Sequence, residues 1–572
     1  MRINVPGACL RYCIGLPDPR VRHQADWDGE DMVRILRATL MMLWLLSPHT
    51  GGAEPAPNGV PLAAPVLLPG RHAPHETALV DSLYERGGLL WSANRHLTPQ
   101  ALGVLEIIRV SDTLGLNPQD YGAGQLTSAA QHLLSVTATD TDWRDFDHLL
   151  TLAAVRLVSH LHYGRVEPAA AGFELSARPE DLNVATAVSE LVTAPDVSQA
   201  LKAVEPQFYH YDLLKTALRR YRALATQPGL TQLPTPGRKA PRPGDTYTGA
   251  PALRTLLLAL GDLSPSEIPG NLPGSETRLD PPLVSAIKRF QQRTGLAQDG
   301  ALGALTFAAL TTPFSQRVRQ IELTLERWRW LPTFDTPPII VNIPQFQLFA
   351  FRTTGDRLAD IQQMPVIVGK SYPRTQTPVF VGSLTYVIFR PYWDIPHQIT
   401  VHEVLPQWRT HSDYLVRNHF EILRGGGVLA DQSRTPATLA GLASGTLRVR
   451  QRPGDDNALG AIKFVFPNAH EVYLHGTPVQ QLFAQSRRAF SHGCIRVADP
   501  VALAAYVLRN TPGDWNSEKI TAAMQQSQSV RVTLAQPQKV MILYGTALAT
   551  EAGPVDFFDD IYGNDLRLEK LL

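Results

Sequence analysis

Two short segments in the C-terminal half of the chain read VYLHGTP at residues 472–478 and SHGCIRV at residues 491–497. Their apolar residues are mostly β-branched or aromatic and lie next to glycine or proline, which predicts short strands separated by turns. Similar runs occur at residues 339–343, 364–368, 386–389 and 462–466. The pattern predicts an all-β sandwich or barrel over residues 333–570.

A cysteine and a histidine in these two segments form the candidate catalytic pair. A thiol reacts as its thiolate, so Cys494 needs a neighbouring imidazole or fixed dipoles, and His475 can supply the imidazole. Gly493 leaves room for backbone N–H groups to face a developing oxyanion, because a side chain there would obstruct the substrate. Asp499 and Pro500 predict the start of a helix, whose amide dipoles favour the thiolate.

Two features of these segments allow a second interpretation. One is the role of Arg496, and the other is a group of four possible metal ligands. The planar guanidinium of Arg496 suits a substrate carboxylate, although an internal ion pair would explain it as well. A zinc site is the chemical rival, with these candidate ligands: His470, His475, His492 and Cys494. Their spacing fits none of the usual closed zinc patterns, so neither a metal nor another cofactor is expected.

Together the two segments resemble the L,D-transpeptidase catalytic domain, whose signature is a His-Gly segment followed by S-H-G-C-x-R. The resemblance extends over most of residues 338–563, through VNIP at 341–344, PVIVGK at 365–370, TP at 377–378, PYWDIP at 391–396 and DIYG at 560–563. It implies that Cys494 is the nucleophile and His475 the base. It also implies roles for five neighbours: Gly476, whose backbone orients the imidazole; Ser491 and His492, which shape the pocket; and Tyr473 and Trp393, which line the donor site.

The rest of the chain is expected to be mainly helical, which makes the fold class multidomain α+β. Helical periodicity predicts a scaffold domain at 74–225, and prolines and glycines mark a linker at 226–249. Residues 250–312 resemble a peptidoglycan-binding domain of the FQ…GL…DG…G…T…L type; a helical unit without a ligand is the alternative. A connecting helix is expected at 313–332. A lid insertion is expected at 397–445, with a solvated insertion as its alternative.

The N-terminal 53 residues predict export. Arg34 and Arg37 precede an apolar run at residues 38–46, which is typical of a signal peptide, and Met32 is the expected true start. Cleavage after Ala53 would remove Cys9 and Cys13 and leave Cys494 as the one thiol. A periplasmic location follows, with an inner-membrane anchor if the segment stays uncleaved.

Chain length predicts several domains, and the net charge argues against nucleic-acid binding. A chain of 572 residues is too long for one core, and 53 basic against 52 acidic residues give no field that attracts nucleic acid. The resemblance implies 3-3 cross-linking of stem peptides, with a tetrapeptide donor, a diaminopimelate acceptor and carbapenem β-lactams as covalent inhibitors. An L,D-carboxypeptidase and a non-catalytic wall-binding scaffold remain the alternatives. Protein partners, acceptor choice and oligomeric state stay open.

Overall fold

The computed structural model describes residues 73–85, 87–175, 179–268, 276–351, 361–371, 375–551 and 553–572. The predicted N-terminal extension and signal peptide, residues 1–53, lie outside them. Helices dominate before residue 330 and strands after it, which confirms the multidomain α+β class. Within the described ranges, none of the helices combines the length and the apolar character needed to cross a membrane.

Seven helices and one small hairpin build the N-terminal scaffold. The hairpin pairs β1 (Ser92–Ala93) with β2 (His96–Leu97). The helices are α1 (Ala73–Tyr84), α2 (Pro99–Arg109), α3 (Ala123–Leu133), α4 (Asp140–Tyr163), α5 (Val184–Thr193), α6 (Val197–Val204) and α7 (Tyr209–Ala225). Helix α4 starts at a capping box, in which the Thr139 side chain accepts from the backbone of Asp142 while the Asp142 carboxylate accepts from the backbone of Thr139. The scaffold packs around α4, which is buried along most of its length.

The next three helices form the unit that resembles a peptidoglycan-binding domain: α8 (Ala250–Leu260), α9 (Pro281–Arg293) and α10 (Ala304–Leu310). The polar residues of its sequence motif hold the unit together. The buried Gln291 amide donates to Asp299 Oδ1 (2.8 Å) and Thr306 Oγ1 (3.1 Å), and its oxygen accepts from Gly300 N (2.9 Å). These groups are already hydrogen-bonded, so their first role is structural.

One apolar core joins this unit to its neighbours. Leu283 and Phe290 of the unit belong to the same cluster as Tyr221 of α7 and Phe557 of the C-terminal hairpin. That hairpin pairs β16 (Ala547–Ala549) with β17 (Val555–Phe557). Helix α11 (Phe314–Trp328), predicted as the connecting helix, packs into the cluster as well. The unit therefore depends on the scaffold and on the C-terminal hairpin for its burial.

A closed sheet of eight strands forms the C-terminal domain, in the order β5-β14-β12-β11-β6-β15-β3-β4 and back to β5. The strands are β3 (Ile339–Asn342), β4 (Gln347–Ala350), β5 (Gln362–Gly369), β6 (Phe380–Phe389), β11 (Ile462–Val465), β12 (Leu474–His475), β14 (Ile495–Val497) and β15 (Val530–Leu543). A further strand, β13 (Ala489–Ser491), pairs with β5. Buried side chains such as Leu474, Ile495 and Phe464 fill the inside of this closed sheet. Of the two predicted architectures, sandwich and barrel, the structure has the barrel.

An insertion leaves this sheet after β6 and returns before β11. It contains β7 (Trp393–Ile395), β8 (Phe420–Arg424), β9 (Gly427–Val428) and β10 (Arg448–Gln451), ordered β7-β10-β8-β9. Its helices are α12 (His397–Ile399), a π-helix at Thr400–Val404, α13 (Leu405–Thr410), α14 (Tyr414–Arg417) and α15 (Pro436–Ser444). Trp408 and Leu442 anchor a separate apolar cluster. The insertion is thus a small folded unit with its own sheet, where the sequence predicted a polar, helix-prone segment.

Three more helices complete the chain: α16 (Pro500–Leu508), α17 (Ser517–Gln525) and α18 (Asn564–Glu569). Helix α16 begins as predicted, with Pro500 as its first residue and the Asp499 side chain accepting from Ala502 N at 2.9 Å.

Candidate active site

The register of three neighbouring strands assembles the candidate site. Lys463 on β11 lies opposite His475 on β12, and His475 lies opposite Arg496 on β14. Residues paired in this way project from the same face of a sheet. The three side chains therefore form one row on the outer face. Tyr473 and Cys494 immediately precede β12 and β14 and come together there, where Ile495 N donates to Tyr473 O at 3.1 Å.

The Cys494 thiol lies in a partly enclosed position. It donates a long hydrogen bond to Glu471 O at 3.8 Å, and the Tyr473 hydroxyl lies within hydrogen-bonding reach of its sulfur. Burial raises the pKa of Cys494, while Tyr473 and the charges of Lys463 and Arg496 act in the opposite direction. Desolvation disfavours a charged sulfur and outweighs these contacts, so the resting group is a thiol.

His475 is buried, with 4% of its surface exposed. Its Nδ1 donates to Gly476 O at 2.6 Å. Burial and, secondarily, the Arg496 charge lower the pKa of His475 to about 3. The imidazole is therefore neutral at physiological pH.

A tight approach of two backbone segments sets the position of Gly476. Gly460 has φ 64°, and a Cβ added there would come within 2.6 Å of Thr477 N and 2.8 Å of the Gly476 carbonyl carbon. A side chain at 460 would displace the strand end that carries His475.

The loop around the thiol is fixed by hydroxyl groups. Gly493 has φ 118°, a backbone conformation that favours glycine. Ser491 Oγ donates to Cys494 O at 2.5 Å and accepts from Gly493 N at 3.2 Å. In the resting structure the Gly493 N–H is thus hydrogen-bonded to Ser491. The Thr377 hydroxyl donates to Gly493 O at 2.8 Å and accepts from Gly369 N at 2.9 Å.

The remaining predicted residues lie around this centre. Trp393, half-buried at the start of the insertion, is within hydrogen-bonding reach of Tyr473, which brings both proposed donor-site aromatics together. The Arg496 side chain is half-buried, and its Nε is buried without a hydrogen-bond partner among the described residues. That environment is suited to binding an anion.

The four candidate zinc ligands face different partners. His492 Nε2 lies 2.6 Å from Glu403 Oε1 of the insertion, and the His470 ring lies 5.1 Å from that of Phe380. His475 is bonded to Gly476 as described. Across the described ranges, no group of three or more His, Cys, Asp or Glu side chains is arranged to hold a metal ion.

Three contributors to the site were not identified from the sequence: Lys463, Thr377 as the support of Gly493, and Glu403. Thr377 lay within the segments that carried the resemblance, but without an assigned role. Lys463 is part of a predicted strand, and only its register shows that it faces His475. Glu403 lies 89 residues before its partner His492.

Comparisons with known proteins agree with this organisation. Residues 337–514 match the family model described as the L,D-transpeptidase catalytic domain. Residues 78–218 match a scaffold domain, and residues 251–310 match a "putative peptidoglycan binding domain". The chain is also 30% identical over 261 residues to a "Putative L,D-transpeptidase" of Haemophilus influenzae, a match that covers 45% of this chain and 50% of that protein.

The match to that relative spans about half of its length, while the three domain models follow one another along this chain in the same order as the folded units. Residues 337–514 belong to the L,D-transpeptidase catalytic domain family, within a chain that also carries a scaffold domain and a peptidoglycan-binding domain.

Proposed function

We propose that this protein is an L,D-transpeptidase that forms 3-3 cross-links between peptidoglycan stem peptides through a thioester on Cys494. The observation that supports the proposal is the strand register, which pairs His475 with Arg496 and brings Tyr473 and Cys494 together just before the two strands. An acyl transfer needs a nucleophile, a proton acceptor and a group that binds the donor, and this arrangement offers all three.

The first half-reaction forms the acyl-enzyme. The thiol proton passes to the neutral His475, and the sulfur attacks the carbonyl carbon that joins the L centre of the third residue to the terminal D-alanine. The Cys494 N–H stabilises the resulting oxyanion. The carbon–nitrogen bond then breaks, His475 returns the proton to the leaving amine, and D-alanine departs.

The second half-reaction transfers the acyl group. The side-chain amine of a neighbouring diaminopimelate attacks the thioester and loses a proton to His475. The carbon–sulfur bond breaks and Cys494 is regenerated. If water attacks instead, the product is a free tripeptide and the protein is an L,D-carboxypeptidase.

In the resting geometry each member of the dyad has a backbone carbonyl as its hydrogen-bond partner. His475 Nδ1 is held by Gly476, and the Cys494 thiol contacts Glu471 O. Catalytic hydrogen bonds are often long or misaligned before substrate binds, so proton transfer requires closer approach of the two side chains in the complex. The Glu403–His492 contact gives the insertion a direct connection to this segment, and we propose that the insertion is a lid over the bound peptide.

Muropeptide mass spectrometry with a defined tetrapeptide donor tests the proposal. Cross-linked dimers with release of D-alanine are expected from the wild type, and neither dimers nor tripeptides from Cys494→Ala. Tripeptide without dimer would establish hydrolysis. Dimers made by Cys494→Ala would refute the assignment of the nucleophile. Wall binding without any product would identify a non-catalytic scaffold.

A further inference from the structure

Lys463 lies at the centre of the candidate site but belongs to neither of its sequence motifs. It is opposite His475 in the strand register and is half-buried. Its Nζ lies 3.7 Å from the centroid of the Tyr473 ring, a close cation–π contact. The hydroxyl of the same tyrosine reaches the Cys494 sulfur. A cation is thus connected to the thiol through one aromatic ring.

The thiolate needs a positive charge that His475 does not provide. In many thiol enzymes an imidazolium beside the sulfur stabilises its charged form. Here burial and the charges of Arg496 and Lys463 lower the pKa of His475 to about 3, so the imidazole is neutral at physiological pH. The two cations whose charge lowers the pKa of Cys494 are Lys463 and Arg496.

We propose that Lys463 is a positioning residue for Cys494, holding the Tyr473 ring beside the sulfur and stabilising the thiolate electrostatically. The inference rests on the proposed function, because it treats Cys494 as the nucleophile. The charges of Lys463 and Arg496 both act on Cys494 and on His475. Lys463 differs in its contact with the Tyr473 ring, whereas the buried Nε of Arg496 is suited to a substrate anion.

Other charged or titratable groups lie around the sulfur. Asp394 of β7 is exposed and interacts electrostatically with both Lys463 and Tyr473, which partly offsets the Lys463 charge. The remaining groups that face this region are Tyr473 and His475 of β12, Arg496 of β14, and the Glu403–His492 pair at the insertion. Burial lowers the pKa of Lys463 itself, and the Cys494 charge acts to raise it again.

The pH dependence of alkylation at Cys494 tests the inference. The full chain is treated with iodoacetamide between pH 6 and 10, and the modified Cys494 peptide is quantified by mass spectrometry. Lys463→Met, which retains the length of the side chain without its charge, is expected to move the midpoint upward and to slow alkylation at pH 7.5 by about tenfold. Lys463→Arg is expected to keep the wild-type midpoint. Lys539→Met, which removes an exposed lysine bonded to Ser383, should leave the profile unchanged.

An unchanged midpoint in a folded Lys463→Met protein would overturn the inference even if turnover fell. If Lys463→Met fails to fold, the Lys463→Arg protein tests the inference instead. A shifted alkylation midpoint in Lys463→Arg, which retains the charge, would contradict an electrostatic role. Alkylation does not require turnover, so these results are separate from the proposed function. Cross-linking by Cys494→Ala would refute the proposed function whatever the alkylation profile shows.

Discussion

Glu403 Oε1 lies 2.6 Å from His492 Nε2, so the insertion contacts the residue two positions before the candidate nucleophile. Glu403 is on the π-helix at Thr400–Val404, while His492 precedes Gly493 in the loop that carries Cys494. Both side chains are partly exposed, at 52% and 35%. Exposed pairs contribute little to stability, and we expect this one to affect the position of the insertion.

Glu403→Gln should weaken the use of a disaccharide tetrapeptide substrate more than reaction with a small acyl probe. Loss of the charge loosens the contact between insertion and loop, and remote contacts position a long substrate without touching the reacting carbon. We expect the KM for a disaccharide tetrapeptide to rise about two- to fivefold while probe acylation changes less than twofold. Asp413→Asn is the control, because it breaks another exposed pair of the insertion, with Arg417. Equal effects of both variants would contradict a specific role.

Acid should destabilise the wild type through His475. Its folded-state pKa, about 3, lies below the unfolded value near 6.5, so unfolding takes up a proton in this range. The corresponding stability is present above pH 6.5 and is lost as pH falls towards 3, on the order of 1 kcal/mol per pH unit. His475→Gln lacks this contribution, so its unfolding midpoint in urea should fall less than that of the wild type between pH 7 and 4.5. His419→Gln, at an exposed histidine, should follow the wild type. Parallel losses in all three proteins would show that His475 is not held neutral.

Gly460→Ala should reduce turnover on the order of 10- to 100-fold by displacing the Gly476 carbonyl that orients His475. The added methyl group has no room, because Thr477 N and Gly476 lie within 2.8 Å of its position. Gly295→Ala is a matched control: φ is 69°, against 64° at Gly460, but no atom lies within 4 Å of the added Cβ. Kinetics and thermal melting of both variants separate crowding from backbone strain. Similar activity losses would contradict the explanation.

Carbapenem should form one covalent adduct per chain, at Cys494. A β-lactam carbonyl acylates a thiolate beside an oxyanion site, and a thioester forms as the ring opens. Intact-mass spectrometry and peptide mapping should show one addition, absent from Cys494→Ser and formed at least tenfold more slowly by His475→Ala. An adduct at the full rate in His475→Ala would remove His475 from the acylation step.

Wall binding is best tested by point substitutions, because deleting residues 250–312 would remove part of a core shared with α7 and the C-terminal hairpin. An open cleft of about 510 Å³ borders the unit and is lined by Thr235, Lys239, Asp245 and Thr248, among others. These polar groups suit a hydroxylated or charged polymer. Lys239→Ala combined with Thr248→Ala should lower sedimentation with intact sacculi several-fold, unlike the exposed Lys288→Ala. Undiminished sedimentation would place the binding surface elsewhere.

Local chemistry made much of this protein predictable from sequence. The helix start at Asp499 and Pro500 was predictable because the Asp499 side chain caps the helix and the Pro500 ring favours its first position. The structure has both residues in these positions. The strands at 339–343 and 462–466 follow from β-branched content and are observed within one residue. The SHGC segment identified the thiol because a nucleophile needs particular residue types close by in the chain. The predicted domain boundaries and site roles stay predictions.

Tertiary structure alone decided which distant residues meet. The sheet at Trp393–Gln451 went unpredicted because its strands are two to five residues long and its stability comes from a local core around Trp408. Three further features depend on how the chain folds and could not be predicted from sequence. They are the shared core of the peptidoglycan-binding unit, the hydrogen bond from Gly493 N to Ser491 and the Glu403–His492 pair. Lys463 faces His475 because two strands pair in one register, and a shift by one residue would turn that side chain to the opposite face.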